Sequence, residues 1–230
     1  MRTPLPRRLL AEFIGTAALL AVIVGSGHMG ELLARGNPAI ALLANGIATG
    51  LALYVLITIF APISGAHFNP VVSLALALRR AIRRRDLLAY VPVQITGAIA
   101  GVVLAHAMFG LDPIALGTKA RGGPGMWLSE VIATIGLMLA ILLGHRAKAA
   151  EVPARVGAYI AAAYWFTAST AFANPAVTVA RALTDTFTGI RPVDVPGFIV
   201  AELPGMAIAL PLAAALTGKH PFPEGEVPGR

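Results

Sequence analysis

The sequence predicts an all-α membrane protein of six spanning helices and two half-helices, arranged as an inverted internal repeat. Three observations predict it. Apolar stretches of about 20 residues, the length that crosses a bilayer core, fill most of the chain; two shorter apolar pieces each open with Asn-Pro; and the pieces recur in the same order in the second half. Of the 230 residues, 57% are hydrophobic and 13% charged, against about 45–50% and 25% in a water-soluble domain. Residues 1–230 are read as one transmembrane domain, with repeat one over about 9–109 and repeat two over about 126–217.

The first span, residues 9–27, follows Arg2, Arg7 and Arg8 as a signal peptide would. It holds Glu12 and lacks a clear small-residue cleavage site, so it is read as a retained helix. Further spans are predicted at residues 39–61, 87–109, 126–144, 156–173 and 197–216. Residues 68–78 and 174–187 are too short to cross at about 1.5 Å per residue. They are predicted to be re-entrant half-helices, because irregular backbone at membrane depth is tolerated where protein buries it or water reaches it.

The net charge of +7 comes from basic residues in the short connections, a pattern of membrane topology rather than of a nucleic-acid partner. Arg2, Arg7 and Arg8, then Arg79, Arg80, Arg83, Arg84 and Arg85, then Arg146, Lys148 and Arg155, and finally Lys219 and Arg230 fall on one face. They make thirteen of the 18 Lys and Arg; Arg35, Lys119, Arg121, Arg181 and Arg191 fall on the other. The positive-inside rule then puts both termini in the cytoplasm of a plasma or inner membrane, with the Arg79 to Arg85 cluster anchored at lipid headgroups. No cysteine is present, which excludes disulfides and thiolate metal sites. His28 and His106 lack metal-ligand spacing, no nucleophile stands beside a base, and no phosphate loop occurs. Neither a metal, a cofactor nor an enzyme is expected.

The halves repeat at the level of residues. Ser64-Gly65-Ala66-His67-Phe68-Asn69-Pro70-Val71-Val72-Ser73 is echoed by Thr170-Ala171-Phe172-Ala173-Asn174-Pro175-Ala176-Val177-Thr178, and Ala11-Glu12-Phe13-Ile14-Gly15-Thr16 by Ser129-Glu130-Val131-Ile132-Ala133-Thr134. Three spans per unit is odd, so the second copy sits inverted, and interrupted segments at matching places of inverted repeats mark a solute site. Proline at the first helical position loses no hydrogen bond, and asparagine before it is a strong cap. Each Asn-Pro therefore starts a half-helix. Inversion brings the two starts together near the midplane with their partial positive ends facing, which repels cations, while the amides of Asn69 and Asn174 donate to a passing oxygen.

These motifs, covering nearly the whole chain, resemble the signature of the aquaporin and glycerol-facilitator family. The resemblance implies an aquaporin-like bundle and a homotetramer in the lipid bilayer, each protomer holding its own pore. It also implies a constriction at Thr49, Ala162, Ala171 and Val177. Two departures stand out: Val177 occupies the place of an arginine, and Val71 that of the usual alanine. Valine lacks the arginine's charge and rigid fork of donors, so a wider, less polar constriction is expected. In the family, Glu12 and Glu130 hold the re-entrant loops, and His67 faces the cytoplasmic entrance.

Arg181, one turn beyond Val177 on nearly the same face, is expected at the outer mouth, paired with Asp185 or lipid. Glu202 matches Gln94 loosely in the repeat and is expected as a hydrogen-bonded interfacial carboxylate. Gly15, Gly97 and Gly101 fit close helix packing. The function expected is a passive channel for small neutral solutes: water, glycerol and other polyols, urea, or metalloid hydroxides such as arsenite, the missing arginine resembling bacterial members associated with arsenic resistance. The alternative, an ion-coupled secondary transporter, needs an ionisable or ion-coordinating site at the midplane, where this sequence offers amides.

Overall fold

The computed structural model describes residues 3–218, apart from the side chains of residues 145–148. Of the residues in the charge count, Arg2, Lys219 and Arg230 lie outside the described residues, as do the side chains of Arg146 and Lys148. Among the described residues there are eight α-helices and no strand. Repeat one contributes α1 (Leu5–Leu33), α2 (Pro38–Ser64), α3 (Pro70–Leu78) and α4 (Arg84–Phe109). Repeat two contributes α5 (Pro124–Lys148), α6 (Val152–Phe166), α7 (Pro175–Arg181) and α8 (Val195–Thr217).

Five of the six long helices are apolar and long enough to cross a membrane by themselves. The sixth, α6, differs from expectation. The predicted span ran to residue 173, but the helix stops at Phe166 after 15 residues, about 22 Å at 1.5 Å per residue. Thr167 is extended (φ −108, ψ 138), and the apolar residues after it belong to the re-entrant loop. The second half-helix is also shorter than predicted, ending at Arg181. Its last carbonyl and the two beyond it are captured from outside: Ile190 N donates to Arg181 O at 3.2 Å, Gly117 N to Ala182 O at 3.0 Å and Ala115 N to Leu183 O at 3.1 Å. The chain then turns through Thr184, Thr186 and Thr188, whose hydroxyls bond one another.

The repeats pack in matching ways. Helix α1 lies against α2 and α4, α5 lies against α6 and α8, and α2 meets α6 across the two halves. Small residues set these distances. A side chain at Gly97 or Gly101 would meet the backbone of Phe13 or Ala17 on α1, and at Gly15 the ring of Phe68. Gly50 and Gly157 meet each other's carbonyls, so α2 and α6 touch backbone to backbone. The expected surface anchor at Arg79 to Arg85 is partly internal, since Arg79 Nη2 donates to Leu210 O at 2.8 Å; Arg8, on the same face, is buried and paired with Asp86 at 3.1 Å. Tyr90, beside Arg8, donates to Ser64 O at 2.8 Å and ties α4 to the end of α2, where the first re-entrant loop begins.

Candidate functional site

Both half-helices begin at the Asn-Pro pairs. Asn69 Oδ1 accepts from Val71 N at 2.9 Å, and Asn174 Oδ1 from Ala176 N at 3.0 Å and Val177 N at 3.4 Å. The two caps also bind each other's loops. Asn69 Nδ2 donates to Ala173 O at 2.7 Å, and Asn174 Nδ2 donates to Phe68 O at 2.8 Å. An amide nitrogen carries two hydrogens, so each asparagine keeps one beyond this crossing.

The loops leading into these caps are conformationally costly. Ala66, Phe68, Ala171 and Ala173 all have left-handed backbones, at φ +50, +49, +49 and +45, each costing about 1–3 kcal/mol for a residue with a side chain. Buried carboxyls hold them. Glu12 Oε1 accepts from His67 N at 3.0 Å and Oε2 from Phe68 N at 2.7 Å; Glu130 does the same for Phe172 N at 3.0 Å and Ala173 N at 2.7 Å. Glu202, which sequence reasoning left at the interface, is fully buried, and its Oε1 accepts from Asn174 N at 3.0 Å.

A cavity of about 140 Å³ lies within this assembly, lined by Ala149, Val152 and Pro153 from the α5–α6 junction and by Phe172, Val177 and Arg181 from the second half-helix and its loop. Asn69 and Asn174 also face it, as do His67, Thr49 and Ala171. His67 is also bonded through Nδ1 to Ser73 Oγ at 2.9 Å. No carboxylate lines this cavity among the described residues.

Five expected site residues are placed elsewhere. Ala162 is exposed and does not line the cavity; Ile160 and Tyr164 on the inward face of α6 take that wall. Two positions along a helix turn a side chain by about 200°, so a count off by two reverses its face. Tyr164 also donates its hydroxyl to Thr49 Oγ1 at 3.3 Å. Val71 is buried, but with Pro70 and Pro175 it faces a separate apolar cleft; Val72 lines the central cavity instead. Ala176 is fully buried outside the lining.

Arg181 differs most from expectation. It does not pair with Asp185, whose Oδ1 is taken by Thr118 N at 2.9 Å and Thr118 Oγ1 at 2.8 Å. Its guanidinium is buried, with Cζ 3.5 Å from the centre of the Phe172 ring and Nε donating to Thr188 O. Nη1 is buried without a partner. Helical side chains lean toward the N-terminus of their helix, so Arg181 reaches back toward the turn that holds Val177. Arg121, on the connection before α5, stands on the same ring at 5.2 Å, and its Nε donates to Gly189 O at 2.9 Å. Burial lowers the Arg121 guanidinium to about 10, leaving it charged at neutral pH.

The protein-family model described as Major intrinsic protein matches residues 2–162. The chain is 56% identical over 208 residues to the aquaglyceroporin AqpS of Rhizobium meliloti, covering 90% of this chain and 89% of that protein. It is 31% identical over 196 residues to aquaporin NIP2-2 of Zea mays, covering 81% and 65%. The X-ray structure of the aquaglyceroporin from Plasmodium falciparum superposes with a TM-score of 0.69 at 18% identity, covering 92% of this chain and all of that one, a likeness of fold.

Proposed function

The chain belongs to the major intrinsic protein family, a family of multi-pass membrane channels rather than enzymes, and on that premise we propose that it conducts small neutral solutes passively through the central cavity. The observation that carries this is the composition of the wall. Asn69, Asn174 and Arg181 offer donors, whereas Ile23, Leu53, Ile160 and Val177 offer only hydrocarbon. A polyol has hydroxyls along one edge and carbon along the other, and it matches such a two-sided wall better than an ion does. The absence of a carboxylate from the lining, among the described residues, favours a channel over an ion-coupled carrier.

The constriction is assigned to Thr49, Tyr164, Ala171, Val177 and Arg181. Val177 leaves room at its own position, and the Arg181 guanidinium supplies the charge and a free donor from one turn further along α7. A bare guanidinium in a low-dielectric wall repels cations and hydrogen-bonds a solute oxygen. His67 belongs to the opposite entrance, and Glu12 and Glu130 support the loops. The single domain is proposed to work as a homotetramer in an inner or plasma membrane with both termini cytoplasmic. The name of the 56% identical relative supports glycerol and water as solutes, and arsenite is a polyol-like candidate for the same wall. Stopped-flow measurement in proteoliposomes of water, glycerol, urea and arsenite permeability tests the proposal. Non-saturating flux that is independent of ion gradients is expected; flux that saturates and follows a proton or sodium gradient would replace the channel with a carrier.

A further inference from the structure

The two repeats support their half-helices with different chemistry, and the difference amounts to one hydrogen. In repeat one, Gln94 Nε2 donates to Glu12 Oε2 and to Ser73 Oγ, both at 2.9 Å. An amide against a carboxylate is a matched pair. In repeat two, Glu202 holds the place of Gln94, Glu130 that of Glu12 and Thr178 that of Ser73. Glu202 and Glu130 are both fully buried, and they hold adjacent backbone groups of the same loop, Glu130 Oε2 accepting from Ala173 N at 2.7 Å and Glu202 Oε1 from Asn174 N at 3.0 Å. Two carboxylates there would be two acceptors with nothing between them, and like charges so close in a buried site do not both ionise.

Thr178 sharpens the count. Its hydroxyl lies 2.9 Å from Asn174 O and 2.9 Å from Glu202 Oε1, yet it has one hydrogen to give. Glu202 Oε2 meets no donor at all, while both oxygens of Glu130 already accept backbone N–H bonds. The cations near the pair stand on the side of Glu130: Arg181 of α7 and Arg121 of the outer connection both lie over the ring of Phe172, whose backbone N–H Glu130 accepts, while the Tyr159 phenol of α6 donates to Ala133 O. Both cations therefore favour leaving the charge on Glu130 and the proton on its partner.

We propose that Glu202 is a carboxylic acid at neutral pH, donating to Glu130 as Gln94 donates to Glu12, and that this proton positions Asn174 at the pore. Glu202 acts through Asn174, whose backbone N–H it accepts, and so is a positioning residue. Removing the proton leaves two facing carboxylates behind the second half-helix and loosens the loop that carries Ala171 and Ala173. Glu202→Gln supplies the same hydrogen permanently. Glu130→Gln instead turns an amide nitrogen against one of the two backbone donors of Phe172 and Ala173.

Only the flux readout rests on the channel assignment; the spectroscopic one stands without it. Infrared difference spectra of the reconstituted full chain are expected to show a protonated-carboxyl C=O stretch at neutral pH that is missing from Glu202→Gln. Glycerol flux of Glu202→Gln is expected within about twofold of wild type at neutral pH, because the donor is kept. Wild-type flux is expected to fall on alkalinisation, and that of Glu202→Gln is not. Glu130→Gln is expected to lose flux. A wild-type spectrum without the band, a band that survives Glu202→Gln, or the same alkaline fall in both proteins would overturn the proposal. Should Glu202→Gln fail to assemble, carboxyl carbon shifts of glutamate-labelled wild type report the protonated acid directly, and their absence would be equally decisive.

Discussion

The amide of Asn69 lies 2.7 Å from the carbonyl oxygen of Ala173, so the cap of one half-helix is also a fastener for the loop that starts the other. The mirror contact, from Asn174 to Phe68 at 2.8 Å, makes the exchange reciprocal.

Asn174→Asp is expected to break that exchange. A carboxylate would face the Phe68 carbonyl with no hydrogen to give, leaving a buried acceptor unsatisfied at a cost of about 1–3 kcal/mol. Neutral-solute flux should fall and cation leak rise. Paired measurements of glycerol flux and liposome conductance check this; wild-type values for both would remove Asn174 from the pathway.

At the constriction, Arg181→Leu is expected to lower glycerol permeability about tenfold or more relative to water. A hydrogen bond from a charged donor contributes about 1.5–3 kcal/mol. Val177→Arg is expected to slow glycerol and arsenite more than water by crowding a second guanidinium into the same turn, and Thr49→Phe to do so from the opposite wall. Neighbouring residues need not act additively, so the Val177→Arg, Thr49→Phe double variant is the informative one. Permeability ratios in proteoliposomes at matched protein density decide it, and unchanged ratios in the double variant would put selectivity elsewhere.

Gly157→Leu is expected to destabilise the fold by about 1–3 kcal/mol, the usual cost of overpacking, because any side chain there meets the Gly50 carbonyl. Thermal unfolding in detergent should show a lowered midpoint. An unchanged midpoint would mean that α2 and α6 can separate without loss.

The outer connection should be acid-sensitive. Asp185 is held below its ordinary value by the backbone and hydroxyl bonds from Thr118. A depressed carboxyl contributes stability that is fully present above its unfolded value, about 3.9, and is lost as pH falls through the lower folded value. Asp185→Asn should therefore lower the thermal midpoint at neutral pH and converge on wild type in strong acid. Parallel curves at every pH would mean that the Thr118 bonds contribute nothing through charge.

Much of this was legible in the sequence. Apolar length gave the spans, and the repeated Asn-Pro gave both half-helices because cap chemistry is local. Glu12 and Glu130 stood out by their repeated positions, and their role as supports came from the family resemblance. Ala162 was not, since its assignment depended on spacing across the end of α6, and helix ends depend on tertiary partners such as the re-entrant loop. Arg181 was placed on the right face but at the wrong depth: its Cα belongs to the outer turn, whereas its charge is carried by a long side chain that leans inward. Tyr164 carried no motif, though its spacing from Ile160 by four residues was a signal that both share one face. Glu202 was paired with Gln94 correctly, and its burial was missed because a lone carboxylate near a predicted helix end reads as solvated.

The crossed asparagine contacts bear on how the chain assembles. Asn69 finds its acceptor at Ala173 and Asn174 finds its own at Phe68, more than a hundred residues apart along the chain. Within its own half each loop is held by its glutamate and its cap, but these two crossed bonds need both halves present. A ribosome that has released only the first half has made three long helices and a half-helix whose cap still lacks its acceptor at Ala173, and completion of the pore is an event of the whole chain.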